Sequence, residues 1–208
     1  VTGLVQLDVS GKLVIPQVGS DGSTSQRLAW RFASRPFGLQ FIAGRQQPKS
    51  TAVIEHAVLV ERRKIQIGSR LTATLRGAPR TAMTFELPDG YLPLTLQATS
   101  LADWYVTESD DRNPKSLTVE FTEPLTGDVE VIMTGQAPKN PLDLIAEIVS
   151  PHPLEIDHLT AWAGVWFDDA YTASPSEMVG WKLVDPRLVP GELKNKQPKP
   201  LQFGLQAT

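Results

Sequence analysis

The chain has 208 residues, 41% of them hydrophobic and 21% charged, with a net charge of −3. It is too apolar for a disordered chain and long enough for one large β domain or two small ones, and its interspersed charges exclude the basic field that nucleic-acid binding needs. Cysteine is absent, which excludes disulfides and thiolate metal sites, and no apolar run approaches the roughly 18 residues of a bilayer span.

The 17 prolines and 15 glycines are scattered singly, which favours many short strands and turns over long helices. Residues 4–18 read as two short strands around Ser10-Gly11. From Arg27 to Ser34 the alternation is clean: Leu28, Trp30 and Phe32 share one face, and FGLQFIA (37–43) follows Pro36 as the partner strand. The stretch 52–75 holds the β-rich runs AVIEHAVLVE, KIQIG and RLTATLRG. TAMTFELPDGYLPLTLQA then predicts two strands joined near Pro88-Asp89-Gly90, and SLTVEFTEPLTGDVEVIMTG a further pair around Thr126-Gly127-Asp128. SLADWYV (100–106) fits either a helical turn or a short strand. The spacing of these signals predicts an all-β chain whose centre, 49–137, is an antiparallel β-sandwich, Ig-like in character. Residues 1–48 and 138–200 are expected to supply a second, smaller β layer or subdomain, with LTAWAGVWF (159–167) as one of its strands.

The two ends share a pattern. Leu28-x-Trp30-x-Phe32 matches Leu201-x-Phe203-x-Leu205 in phase and bulk, and each follows a glycine, an aspartate and an LV(I)P run at similar distances. On this basis 201–208 is expected to begin a following repeat. The chain opens on Val1 rather than Met, as expected of a segment from a longer protein.

LAWRFASRPFGLQF, RLTATLRG…MTFELPDGY, EPLTGDVEVIMTG and WAGVWFDDAY…GWKLVDP together resemble the repeated β-rich modules of very large exported proteins from planctomycete-type bacteria. The resemblance implies a structural or adhesive module of an exported or cell-surface bacterial protein, extracellular in location. Its partners would be other domains of the same protein, other surface proteins or a polysaccharide. No catalytic residue and no cofactor comes with it.

The residues themselves offer little chemistry. G-x-S-x-G and phosphate-binding glycine loops are missing, and without cysteine there is no thiol nucleophile. In PHPLEIDH, His152 and His158 would stand roughly 20 Å apart on an extended strand, too far for one ion. The loop ESDDRN (108–113) groups acids that suit calcium but also suit a solvated turn. No metal site is therefore assigned, and His56 reads as a sheet-face histidine. The functional idea with geometry behind it is aromatic. Trp162 and Trp166 project from one strand face with Gly164 between them, a shallow slot suited to stacking on a sugar ring. The reading favoured for the same indoles is core, because Ala161, Ala163, Val165 and Phe167 make the other face apolar too. Trp104 and Tyr105 form a second ligand-binding candidate. The expected function is thus a non-catalytic structural or adhesive module. The alternative is a carbohydrate- or protein-binding module attached to an extracellular enzyme.

Overall fold

The structure, a computed structural model, describes residues 13–14, 29–30 and 49–207, apart from 112, 143–145, 149, 170, 172, 195 and 198. The chain divides into two compact units, Val1–Gln46 and Gln47–Thr208. In the first, β1 (Leu13–Val14) and β2 (Ala29–Trp30) pair antiparallel, Leu13 opposite Trp30. The expected strand at 37–43 lies outside the described residues.

In the second unit, β3 (Lys49–Val60) and β4 (Lys64–Glu86) form a long hairpin closed by Glu61 N donating to Lys64 O at 3.0 Å. Strict alternation explains the pairing: Ala52, Ile54, Val58 and Val60 from β3 meet Ile65, Ile67, Leu71 and Ala73 from β4 on one buried face. β5 (Leu92–Ala98) and β6 (Leu101–Thr107) are short, so 101–107 is strand rather than helical turn. β7 runs unbroken from Ser116 to Pro138, and β8 (His152–Pro153), β9 (His158–Phe167), β10 (Lys182–Val184) and β11 (Phe203–Ala207) complete the set. Helix is confined to a 3₁₀ turn at Pro186–Leu188 and the four-residue α1 (Gly191–Lys194) among the described residues. The fold is all-β.

Two expected hairpins are built differently. The Pro88-Asp89-Gly90 turn forms, with Tyr91 N donating to Pro88 O at 3.1 Å, but β4 and β5 are not neighbours because β7 lies between them. Thr126-Gly127-Asp128 is no turn at all. Gly127 takes a left-handed φ of 84° within β7, and Gly77 does the same within β4. The β4–β7 register slips on either side of Arg80. Pro79 and Pro124 fall in these slipped stretches, where a residue without an N–H costs the ladder nothing. The slips bend two 23-residue strands at the same level. Before the bend, 64–75 of β4 pairs β3 on one side and 127–138 of β7 on the other. Beyond it, 80–86 pairs 116–125 and β8, while β6 pairs the start of β7. Ile54, Leu71 and Val131 from one arm share a single core with Phe85, Leu117 and Val119 from the other. The sandwich character comes from one sheet folded over its own core.

The sheet is mixed. Its order is β10-β11-β9-β3-β4-β7-β5, and β3 and β9 run parallel from Thr51/His158 to Val60/Phe167. This changes the expected boundaries. Residues 138–200 do not form a separate layer, because β9 adds directly to β3, and the compact unit begins at Gln47 rather than ending at 137. Within 201–208, where a following repeat is expected to begin, residues 203–207 form β11. β11 is an interior strand, with β9 on one side and β10 on the other, and Phe203 and Leu205 pack on the main core.

Removing residues 201–207 should therefore strip β10 from the sheet and uncover β9. The expected result is a lower denaturant midpoint and faster amide exchange across 161–165. An unchanged midpoint would contradict an interior β11.

Candidate functional site

The four aromatic candidates do not converge. Trp162 and Trp166 do share one face of β9, the face opposite the main core, but the space between them is filled. A Cβ placed on Gly164 would lie 2.8 Å from the Trp166 ring and 3.0 Å from Leu201 Cδ1. Trp166 is 1% exposed, packs with Val189 and Leu193, and donates its Nε1–H to Lys199 O at 3.1 Å. It is a pillar of a second small core rather than a stacking platform. Trp162 is half-buried against the same cluster. On β6, Trp104 packs on the main core while Tyr105 is exposed, as adjacent strand residues must. β3, β4 and β7 separate the two pairs in the sheet.

The polar groups that could carry chemistry are spent on joining segments. His56 faces Ser69 directly across the β3–β4 hairpin, Nδ1 to Oγ at 2.8 Å, and each residue is 2% exposed. The ring also meets Trp181 edge-on, with centroids 6.3 Å apart. Burial, helped by the charge of His152, drives the His56 pKa down to about 3, so the imidazole is neutral at ordinary pH. A serine beside a histidine suggests a nucleophile and its base, but here both side chains are buried in the hairpin. The Tyr91 hydroxyl is buried with no hydrogen-bond partner among the described residues, and burial raises its pKa.

A second polar group clamps the start of β3. Asp157 accepts from Ser50 N at 2.6 Å and from Ser50 Oγ at 3.2 Å, while Arg80 donates to Glu155 O at 2.6 Å. The Ser50 N–H above all holds the Asp157 carboxyl below its usual range. This is what PHPLEIDH builds: His152 sits in β8 opposite Glu86, and Asp157 is a staple. In ESDDRN, Asp110 accepts from Asn113 N at 2.8 Å and closes its own turn.

One cavity had no sequence motif to announce it. On the sheet face opposite the main core, β3, β4 and β7 floor an open cleft of about 420 Å³. One cross-strand row, Ala57–Gly68–Thr134–Thr95, makes the floor low. Leu193, just within α1, forms one wall, and Leu94 of β5 the other. At one end Arg70 bridges Glu130 and Glu192, which ties α1 to the sheet.

No family model and no curated protein matches the chain. Among solved structures it is similar to an M1 zinc metallopeptidase from Deinococcus radiodurans, at 13% identity and a TM-score of 0.45, over 77% of this chain and 38% of that one. It is also similar to a non-cellulosomal cohesin from the archaeon Archaeoglobus fulgidus, at 7% identity and a TM-score of 0.30, over 57% of this chain and 91% of that one. The chain thus spans well under half the length of the peptidase.

The buried imidazole makes a pH prediction. Above the unfolded-state value of 6.5, His56 is neutral in both states and adds no pH dependence. Below 6.5 the unfolded chain takes up a proton that the folded chain refuses until about pH 3. Stability should therefore fall as pH drops through that window, by up to about 1.4 kcal/mol per pH unit from this group. Denaturant melts at pH 7 and pH 5 should show the loss, and His56→Gln should reduce it. Equal pH dependence in the two proteins would refute the assignment.

Proposed function

We propose that this chain is a non-catalytic structural or adhesive β module of a larger exported or cell-surface bacterial protein. The observation that supports it most is the use of the reactive groups: His56 and Ser69 tie two strands together in the core, and Ser50, Arg80 and Asp157 pin a loop to the sheet. The bent β4–β7 ribbon adds a second support, because two continuous strands link both arms of the sheet and spread a pull along the chain over many ladder bonds. The partners proposed are other domains of the same protein or neighbouring surface proteins.

A second reading, a binding module attached to an extracellular enzyme, is favoured by the cleft over Gly68. Its mixed lining of aliphatic and polar side chains suits a protein or peptide better than a polysaccharide, since the ring that would stack on a sugar, Trp166, is enclosed.

Antibodies to this module should stain intact cells that carry the parent protein, and brief protease treatment of those cells should remove the signal. Signal only after lysis would overturn the surface assignment. Purified module should hydrolyse chromogenic esters, peptides and glycosides no faster than its Ser69→Ala variant. A turnover lost in that variant would overturn the non-catalytic reading.

A further inference from the structure

We infer that the cleft over Gly68 binds an extended, uncharged peptide segment that lays an apolar side chain across the glycine. The inference deepens the binding reading above and rests on it. It starts from one continuous row of small residues crossing the sheet, Gly204–Gly164–Ala57–Gly68–Thr134, each in register with the next. The molecule covers the first part of this row itself. A Cβ on Gly204 would lie 2.5 Å from Val189 Cγ2, and one on Gly164 would meet Trp166 and Leu201. Val189 is delivered by extended backbone, at φ −64° and ψ 140°, and Leu201 by the irregular segment before β11. The cover ends with Leu193 at the cleft wall, yet the row continues. Above Gly68 no heavy atom of the described residues lies within 4 Å of a built Cβ.

The cleft is therefore the open continuation of an interface that the chain already makes with its own extended segments and aliphatic side chains. An occupant of the same kind completes it. Burying one large aliphatic side chain there contributes roughly 1.5–3 kcal/mol. Around the cleft Arg70 is matched by Glu130 and Glu192 and Lys64 by Glu61, while Glu55 and Lys196 add one charge of each sign, so no single sign dominates and an uncharged ligand fits best. Gln136 on β7 and Gln197 beyond α1 border the apolar floor, placing amide donors and acceptors where a peptide backbone needs them. The volume of about 420 Å³ suits a few residues rather than a folded domain.

The test titrates ¹⁵N-labelled protein with a pool of blocked hexapeptides carrying Leu, Ile, Val or Phe at the third position and Ser, Thr or Gln elsewhere. The expected amide shifts fall at 57, 66–70, 132–136 and 193–197. A control pool with serine at the third position should bind at least about ten-fold more weakly. Gly68→Leu fills the open space from within, so it should weaken binding by about ten-fold or more with no loss of melting temperature. Gln136→Ala is the second variant, expected to weaken binding about two- to ten-fold through the lost hydrogen bond. Equal binding of both pools, or shifts elsewhere on the molecule, would overturn the proposal. Shifts at the same amides with cellohexaose but not with peptides would overturn the peptide while keeping a binding module. No response to either probe would overturn both.

Discussion

The continuous pairing of β4 with β7 is the constraint on which the rest of the second unit depends. Each strand is 23 residues long, far above the usual five or six or so, and each bends at the same level. A flat ribbon of that length would leave one face without a partner. By slipping register around Arg80, with Gly77 and Gly127 left-handed on either strand, the ribbon turns its own apolar face inward. Phe85 and Leu117 from one arm then pack in the same core as Leu71 and Val131 from the other. Every other strand attaches to an arm of this ribbon, directly or through β3.

The face turned away from that core is organised by absence of bulk. Gly204, Gly164, Ala57 and Gly68 lie in one row, and each carries at most a methyl group. The low ground lets Val189, Trp166 and Leu201 sit close to the sheet as a second, smaller core. Arg70 then joins α1 to the sheet through Glu192 and to β7 through Glu130. The cleft is what remains where this cover stops.

Much of the fold was legible in the sequence because alternation is a local signal. The β-rich runs within 52–75, at 81–86 and at 159–167 follow from period-two patterning and the Pro88-Asp89-Gly90 turn from its turn residues, but KIQIG, RLTATLRG and TAMTFE read as separate runs where the structure has one continuous strand, 64–86. What alternation does not encode is which strands become neighbours. Thr126-Gly127-Asp128 has turn chemistry, yet a left-handed glycine serves a bulge as well as a hairpin, and only the partner strand decides between them. The parallel β3–β9 pair lay beyond reach for the same reason, since its contacts join residues about a hundred positions apart. The space between Trp162 and Trp166 is closed by contacts that spacing does not encode: the Trp166 ring lies over Gly164 and Leu201 returns to the same row. The His56–Ser69 bond was closer to the surface of the text. Both residues interrupt apolar faces at equal distances from the turn at 61–64, so folding the hairpin on paper brings them together.

The parallel pairing also fixes an order of events during synthesis. The β3–β4 hairpin and β7 are complete once residue 138 has left the ribosome, but the far edge of β3 then has no neighbour. That edge waits for β9, and β9 in turn waits for β11 near the end of the sequence. A nascent chain arrested between these points presents a long, regular and largely apolar strand edge, the kind that recruits the wrong partner. The last quarter of the chain, which holds little of the main core, thus acts as the closure that protects the first strand of the sheet.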